Sequence, residues 1–546
     1  MRVSFLAGAS AGGLVVGALL FCLSLTPSMV PRSPVLQGAL GGLAFSIGYA
    51  FWIATCRIGR WLEIGALPPT ISRYGTALVT GLAVCTVGVC LWRSATWQNS
   101  IRRTWGLEDA ATAAPMTITL VAVLVFLGLL LFGRAFVFLA RRWRRRSARL
   151  LPGRLSLLFG FLVATLLVGA FIDGLAVRSA LRAVDQASQL ADQMMAPELA
   201  TPTDPLKSGS PASAVGWTEL GRWGRAYVAS GPSGEDISEF WSAPALEPIR
   251  VYVGLNAAAT PEARARLAFE ELDRVGGFDR SVLVIAMPTG SGWLDPGAVD
   301  SLEYITRGDV ATVAVQYSYL PSPVSVIVDP THGIEEAQRL FDLVYRRWTN
   351  LPRDRRPKLY LHGLSLGAYL SQETVPLLDV FSDPFDGALW AGSPFLSEFW
   401  RMVVDRRQTG SPAWRPRFGN GSLVRTMNQY GGLATHDSEW GPIRLVLLQY
   451  GSDPIVFFDW SLAWRKPDWL AEDRAPDLSP MMRWVPLVTM LQVGVDMTVA
   501  LGALGYGHDY TVRHYIPAWA EALGPAYWDA DTEARLIEHL RDLVPR

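Results

Sequence analysis

The stretch KLYLHGLSLGAYLSQ (358–372) decides the fold of the C-terminal part of this 546-residue chain. It begins as a short apolar strand, turns at GLSLG (363–367) and continues as a helical pattern. A G-x-S-x-G sequence in that setting puts the serine on a tight, strained turn, where side chains in place of the two glycines would clash with neighbouring elements. The stretch therefore predicts that Ser365 is a nucleophile exposed at the edge of a sheet, above the positive end of the following helix.

Short apolar strands alternate with helical patterns on both sides of this turn. The predicted strands are IRVYVGL (249–255), SVLVIAMP (281–288), VATVAVQY (310–317), KLYLHG (358–363), GALWAG (387–392) and IRLVLLQYG (443–451), and helices are predicted near 260–274, 332–349 and 366–378. This alternation indicates a mostly parallel sheet covered by helices on both faces. Reacting groups in such sheets collect at the carboxyl ends of the strands.

An acidic residue that could orient a catalytic base follows a later strand. In RLVLLQYGSDPIVFFDW (444–460), Asp453 comes directly after the strand, 88 residues beyond Ser365. From such a turn, its carboxylate could fix the tautomer of an imidazole and stabilise the imidazolium. Asp-Pro is also common in ordinary turns, where the aspartate caps the next element. Asp459 is the alternative acid.

The base is expected to come last in the chain, and three histidines follow the acid. His508 lies in GYGHDY (505–510), a glycine-flanked loop that suits an imidazole reaching both the serine and the aspartate. His514 lies at a predicted helix start and His539 on a polar C-terminal helix, so His508 is the preferred general base. The other histidines are expected to have structural or surface roles: His332, His362 and His436.

The tetrahedral intermediate of acyl transfer needs two backbone N–H donors. One is expected from Leu366, directly after the nucleophile, and the other from TGSGW (289–293), the loop after the second predicted strand. Gly290 and Ser291 are the candidate donors in this loop, and Gly290 and Gly292 would permit a close approach to the oxyanion, but the sequence does not assign the donating N–H. The same glycines could simply make a turn.

The segment between the predicted acid and base is rich in tryptophan and ends in VPLVTMLQVGVDMTVALGALG (485–505). Its composition suits a cap over the site, ordinary core packing or a bilayer interface. A membrane span here is disfavoured, since Gln492 and Asp496 fall in mid-segment and the chain must return to the sheet at His508.

The N-terminal part of the chain contains five apolar stretches of about the length that crosses a bilayer, roughly 4–25, 35–55, 75–92, 116–140 and 155–172. The first could instead be a cleaved signal peptide. Glycines in the first three stretches let helices pack closely in lipid, and the near absence of ionisable residues favours an anchor over a transport bundle. Residues 1–173 are therefore predicted to form an α-helical membrane bundle of about five spans.

The arginines predict the orientation of this bundle. Residues 1–172 carry 16 Arg, no Lys and three acids, a net charge of +13, and RRWRRRSAR (141–149) holds six of the arginines. By the positive-inside rule, this loop stays in the cytoplasm. Five spans then deliver everything after Asp173 to the outer side of the cytoplasmic membrane.

Residues 174–216 are predicted to be a polar helical stalk and a linker rich in Pro, Ser, Thr and Gly, so the catalytic domain is expected to cover 217–546. The chain beyond residue 172 has a net charge of −13, which argues against a nucleic-acid partner. All four cysteines lie in or beside the apolar stretches, and no metal-ligand or phosphate-binding pattern occurs in a suitable context. No cofactor is expected, and the sequence does not identify protein partners.

These residues resemble those of the bacterial membrane-anchored α/β-hydrolase family, which joins an N-terminal multi-span domain to a C-terminal hydrolase domain. SLTPSMVPR (24–32) looks like its N-terminal signature, and YLHGLSLGAYLSQ (360–372) and YGSDPIVFFDW (450–460) look like its hydrolase signatures. The resemblance implies an α/β-hydrolase fold with Ser365, Asp453 and His508 as nucleophile, acid and base. It implies no particular substrate.

Three functions are compatible with these features. The leading hypothesis is a membrane-anchored serine hydrolase, an esterase or lipase that cleaves an ester or lipid substrate through an acyl-enzyme. The same triad could instead transfer an acyl group to an envelope lipid or glycan, if the acceptor site excludes water. The third is an inactive hydrolase fold that serves as an envelope scaffold, against which the intact and correctly ordered Ser, Asp and His argue.

Overall fold

The computed structural model describes residues 10–63, 69–170, 178–195, 198–320, 325, 331, 333–375, 382–436, 438–471 and 473–541. The contacts divide the chain into two units. The helical unit comprises Met1–Arg182, Phe458–Glu472 and Pro476–Val499. The sheet unit comprises Ala183–Phe457, Asp473–Ala475 and Ala500–Arg546.

The N-terminal part of the helical unit consists of long apolar helices: α1 Ala11–Ser24, α2 Pro34–Trp61, α3 Pro69–Thr104, α4 Pro115–Ser147 and α5 Gly153–Ala170. Among the described residues, α2 to α5 are the four helices long and apolar enough to cross a membrane, which supports a membrane protein. The described part of α1 has 14 residues and is shorter than a span. Residues 1–9, where the first predicted span begins, lie outside the described residues.

Glycines set the closest contacts between these helices. A Cβ atom on Gly38 would lie 2.8 Å from the carbonyl oxygen of Ile118, and one on Gly42 would lie 2.6 Å from that of Ala122. Close backbone approach of this kind replaces hydrophobic burial as the source of helix association in lipid. The two contacts advance together along both chains, so α2 and α4 run parallel.

The sheet unit is built on seven parallel strands in the order β1-β3-β2-β4-β5-β7-β6. The strands are β1 Ile249–Val253, β2 Val282–Met287, β3 Val310–Val315, β4 Lys358–Leu364, β5 Gly387–Ala391, β6 Val424–Met427 and β7 Arg444–Leu448. They are almost entirely buried, which explains their near-continuous apolar sequences. All six predicted strands are present. The edge strand β6 was not predicted, because VRTM has only four residues and is a strand through its pairing with β7.

Helices flank this sheet, as predicted. The described helices that follow α5 are α6 Arg178–Gln193, α7 Gly221–Ala229, α8 Gly234–Trp241, α9 Pro261–Arg274, α10 Pro296–Ile305, α11 Ile334–Thr349, α12 Leu366–Glu373, α13 Glu398–Asp405, α14 Pro454–Phe457, α15 Val488–Asp496, α16 Val512–Leu523 and α17 Ala530–Arg541.

Part of the predicted linker is fixed to α9, since the buried Glu271 carboxylate accepts hydrogen bonds from the Ser213 hydroxyl at 2.6 Å and the Ala214 amide at 3.1 Å.

Most of the tryptophan-rich segment between β7 and α16, which was predicted to be part of the 217–546 domain, belongs to the helical unit: Phe458–Glu472 and Pro476–Val499. Its helix α15 contacts α1 and α2. Gln492 donates to the carbonyl of Thr26 at 2.9 Å, and Asp496 accepts from Arg32 at 2.6 Å. The amide nitrogen of Gln492 and the carboxylate of Asp496 therefore bond the loop between α1 and α2, while Gln492 Oε1 is buried without a hydrogen-bond partner among the described residues.

Candidate active site

Ser365 lies at the turn between β4 and α12 in a strained backbone conformation, with φ 58° and ψ −127°. A Cβ atom on Gly363 would lie 2.4 Å from the carbonyl carbon of Gly367, and one on Gly367 would lie 2.1 Å from the carbonyl oxygen of Met287. Only glycine fits at both positions, as the sequence pattern predicted. The serine is only 4% exposed, so the prediction that it is exposed at the edge of the sheet is wrong.

His508 and Asp453 form a hydrogen-bonded pair. The distance from His508 Nδ1 to Asp453 Oδ2 is 2.6 Å, and both side chains are buried. His508 Nε2 is also buried and has no hydrogen-bond partner among the described residues. An imidazole held through Nδ1 by a carboxylate presents Nε2 to a hydroxyl, which is the arrangement a general base requires.

Ser365 and His508 both contact the end of β5. The amide of Ser365 donates to the carbonyl of Ala391 at 3.0 Å. The next residue, Gly392, lies against the imidazole, since a Cβ atom there would be 2.6 Å from His508 Cε1. The predicted nucleophile and base therefore contact adjacent residues of one strand end, at the carboxyl edge of the sheet.

Each carboxylate oxygen of Asp453 has its own role. Oδ1 accepts from the amide of Ile455 at 2.9 Å and caps the turn that follows, while Oδ2 faces His508. Asp453 therefore caps the turn through one oxygen and bonds the imidazole through the other, so the two interpretations of this residue are compatible. Asp459, the other candidate acid, lies in the helical unit and accepts from the amide of Ser461 at 2.6 Å.

Two residues that were not predicted as part of the site support this pair. The hydroxyl of Tyr510 donates to Asp453 Oδ2 at 3.0 Å. The hydroxyl of Ser452 accepts from the amide of Gly507 at 2.9 Å, which fixes the loop just before His508. Both residues stand within the quoted motifs YGSDP and GYGHDY, and their proximity to the acid and the base was the available signal.

The other described histidines are engaged elsewhere. His514 Nδ1 lies 2.5 Å from the hydroxyl of Tyr450, and burial lowers the pKa of His514 to about 4. Burial also lowers the pKa of His362 to about 4, and its Nδ1 lies 2.8 Å from the carbonyl of Leu389. His539 Nε2 lies 3.0 Å from the hydroxyl of Tyr304.

Of the two remaining histidines, His436 lies in a loop of the sheet unit, beside Gly421. His332 lies outside the described residues.

Of the predicted oxyanion donors, Leu366 lies at the start of α12, whereas Gly290 and Ser291 lie in the loop after β2. Leu366 is the first residue of that helix, so its amide has no acceptor within the helix. The loop after β2 is closed by two hydrogen bonds, from the Thr289 amide to the Trp293 carbonyl and from the Gly292 amide to the Thr289 carbonyl, both 2.9 Å. Gly290 and Ser291 stand at the tip of this closed turn, and their role as donors stays a prediction.

No group of three or more His, Cys, Asp or Glu side chains in the described part of the chain is arranged to hold a metal ion. The prediction that no cofactor is needed is not tested by this arrangement.

Two family matches cover most of the chain. Residues 249–536 match a family described as the alpha/beta-hydrolase family, and residues 25–232 match the N-terminus of the same family. The first match includes all seven strands and the residues Ser365, Asp453 and His508. Comparisons with curated proteins and with solved structures give no significant match.

Proposed function

Because the chain belongs to the alpha/beta-hydrolase family over both of its parts, we propose that it is a membrane-anchored serine hydrolase that cleaves an ester or lipid substrate. The observation that carries this proposal is the 2.6 Å bond between His508 Nδ1 and Asp453 Oδ2, with Nε2 left unpartnered beside the strand end that also holds Ser365.

The proposed reaction follows from the position of each group. His508 Nε2 takes the proton of the Ser365 hydroxyl as its oxygen attacks the acyl carbon, and Asp453 stabilises the imidazolium that forms. The amide of Leu366 and one amide of the 289–293 turn donate to the oxyanion. His508 then protonates the leaving alcohol, and water releases the acyl-enzyme by the same steps in reverse order.

The membrane-capable helices support a substrate that is itself amphiphilic, such as a lipid ester. We further propose that the sheet unit faces the outer side of a cytoplasmic membrane, on the basis of the arginine-rich loop 141–149.

Acyl transfer is the second candidate, and the burial of Ser365 favours it. A serine that is 4% exposed can be acylated in a site from which bulk water is largely excluded, so an alcohol acceptor could compete with hydrolysis. Product analysis with and without glycerol or a glycan acceptor separates the two, because only transfer yields a new ester.

Labelling with a fluorophosphonate probe tests the proposed chemistry. Membranes with the full chain should label in the wild type and not in Ser365→Ala. The matched control is Ser371→Ala, which removes a buried hydroxyl of the same helix that accepts from Trp390 at 2.9 Å and should leave labelling intact. Equal labelling of the wild type and Ser365→Ala would remove Ser365 as the nucleophile. If a small probe labels neither in detergent, the scaffold hypothesis replaces the enzyme.

The same probe tests the proposed orientation. An impermeant fluorophosphonate should label the wild type in intact cells as completely as in broken ones. Labelling only after the cells are broken would place the sheet unit in the cytoplasm without affecting the assignment of the nucleophile.

A further inference from the structure

A cavity of about 1220 Å³ lies between α2 and α4 in the helical unit. The two helices touch through Gly38 and Gly42 near their N-terminal ends. Farther along, the rings of Phe45 and Phe126 meet edge to face with their centroids 4.7 Å apart. The cavity begins at this level and continues toward the C-terminal ends of both helices.

The walls of this cavity are hydrocarbon along much of their length. Ile47 and Ile53 line it from α2, and Leu130, Val137 and Phe138 line it from α4. A wall of this kind matches an acyl chain and offers little to a small polar solute.

Six arginines line the rest of the cavity: Arg57, Arg134, Arg141, Arg142, Arg145 and Arg146. The sequence has no Asp or Glu between residues 110 and 172, and α2 contains none. Because α2 and α4 run parallel, Arg57 and the arginines of α4 lie toward the same end of the cavity. Neither helix contains an acid that could balance this charge, and the nearest acid in the sequence at this end is Glu63, two residues after α2.

We propose that this cavity, called the groove below, binds an anionic phospholipid, with an acyl chain along the apolar wall and the phosphate on the arginines. A cationic belt alone would satisfy the positive-inside rule without any cavity between the helices, and a cavity alone would accept any lipid. The two features together select a headgroup with net negative charge, because basic pockets between membrane helices bind such headgroups. Bidentate guanidinium–phosphate contacts add geometric selectivity.

Lipid titration of the purified full chain in neutral detergent tests the site. Dioleoyl phosphatidylglycerol should bind in native mass spectra and raise the unfolding midpoint. Dioleoyl phosphatidylcholine has the same acyl chains but no net charge, and free glycerol phosphate has the phosphate but no acyl chains. Neither compound should bind or raise the unfolding midpoint. Equal binding of the two lipids would overturn the proposal, and so would competition by glycerol phosphate, which would indicate a plain phosphate site.

Two pairs of variants locate the binding. Arg141→Gln/Arg145→Gln should weaken phosphatidylglycerol binding about 30-fold, from two arginines at a charged lipid surface. Arg149→Gln/Arg154→Gln removes the same charge outside the groove and should leave binding unchanged.

On the apolar wall, Gly133→Phe should fill the cavity and abolish binding, because nothing lies within 4 Å of a Cβ atom there. Gly128→Phe, equally open but not among the lining residues, is the control. If both groove variants bind as the wild type does, the lipid lies elsewhere and the proposal fails. The comparison of the two lipids on the wild type decides the question even if a variant does not fold.

Discussion

Arg32 and Asp496 form an ion pair although 464 residues separate them in the chain. Arg32 Nε lies 2.6 Å from Asp496 Oδ1, and both side chains are completely buried. The second carboxylate oxygen accepts from the amide of Met29 at 3.1 Å and from the hydroxyl of Ser28. The pair ties α15 to the loop between α1 and α2 within the helical unit.

Removal of one partner of this pair should destabilise the helical unit. Asp496→Ala leaves a buried guanidinium without its carboxylate, a loss of about 3–5 kcal/mol for buried pairs in general. Thermal unfolding in detergent and proteolysis within 458–499 measure the effect. Asp109→Ala breaks the exposed pair with Arg103 in the same unit and should change neither. The double variant Arg32→Met/Asp496→Leu should recover part of the loss, and no recovery would argue against an uncompensated charge as the cause.

Replacement of the predicted acid should lower turnover far more than replacement of its sequence alternative. Asp453→Asn can no longer hold the His508 tautomer that presents Nε2 as an acceptor, and a loss of about 10⁴ in kcat is expected. Asp459→Asn should leave kcat unchanged, because that side chain caps a turn of the helical unit. Hydrolysis of a chromogenic short-chain ester gives both values, and similar losses in the two variants would disprove the assignment.

Tyr510→Phe should reduce kcat about 10- to 150-fold with little change in KM. The hydroxyl donates to Asp453 Oδ2, and a hydrogen bond to a charged group contributes about 1.5–3 kcal/mol. Tyr450→Phe is the matched control, because its ring stacks on Tyr510 with the centroids 4.1 Å apart while its hydroxyl bonds His514 instead. Equal losses in both variants would indicate a packing effect and not the bond to Asp453.

A methyl group at Gly392 should displace the imidazole of His508. The added Cβ atom would come within 2.6 Å of Cε1, and misplacement of a catalytic group by about 1 Å costs about 100-fold in rate. Gly410→Ala serves as control, since Gly410 also has a positive φ but nothing lies within 4 Å of a Cβ atom there. Fluorophosphonate labelling rates should fall in Gly392→Ala alone. An unchanged rate would mean that His508 is not the base.

Asp295 should make the sheet unit less stable as the pH rises. Burial raises the pKa of this carboxyl to about 7, although it accepts from the Tyr515 hydroxyl and the Gly297 amide, both at 2.9 Å. Between about pH 4 and 7 the unfolded state releases a proton that the folded state keeps, so the free energy of unfolding falls with pH across that window.

The variant Asp295→Asn lacks this titration. Its unfolding midpoint, measured relative to the wild type, should therefore rise from pH 4 to pH 7 and then level off. Asp354→Asn, on the surface of the same unit, controls for general charge effects. A constant difference across the window would contradict a raised pKa at Asp295.

The strands and the Asp453–His508 pair could be anticipated because each depends on local patterns in a fixed chain order. Buried parallel strands need continuous apolar sequence, and the nucleophile turn needs glycine at 363 and 367 whatever the rest of the chain does. β6 was missed because its pairing with β7, not its own composition, makes it a strand. Tyr510 was missed because the direction of its hydroxyl depends on the loop that carries His508.

The location of α15 could not be derived from its sequence. Gln492 and Asp496 are unfavourable in a lipid environment when they are considered alone, so a membrane span was disfavoured here, and α15, with nine residues, is too short to be one. Their partners, Thr26 and Arg32, lie in a loop more than 460 residues earlier. Polar groups that bond one another over such a separation leave no periodicity in either stretch.

The ion pair also constrains how the chain is made. At roughly 5–20 residues per second, a ribosome adds the 464 residues between Arg32 and Asp496 in roughly 20–90 s. During that time the nascent N-terminal helices exist with the arginine unmatched. A polypeptide that ends after β7 lacks Asp496, and so does a fragment of the first 182 residues. Such a fragment should therefore not be treated as self-sufficient in expression or reconstitution.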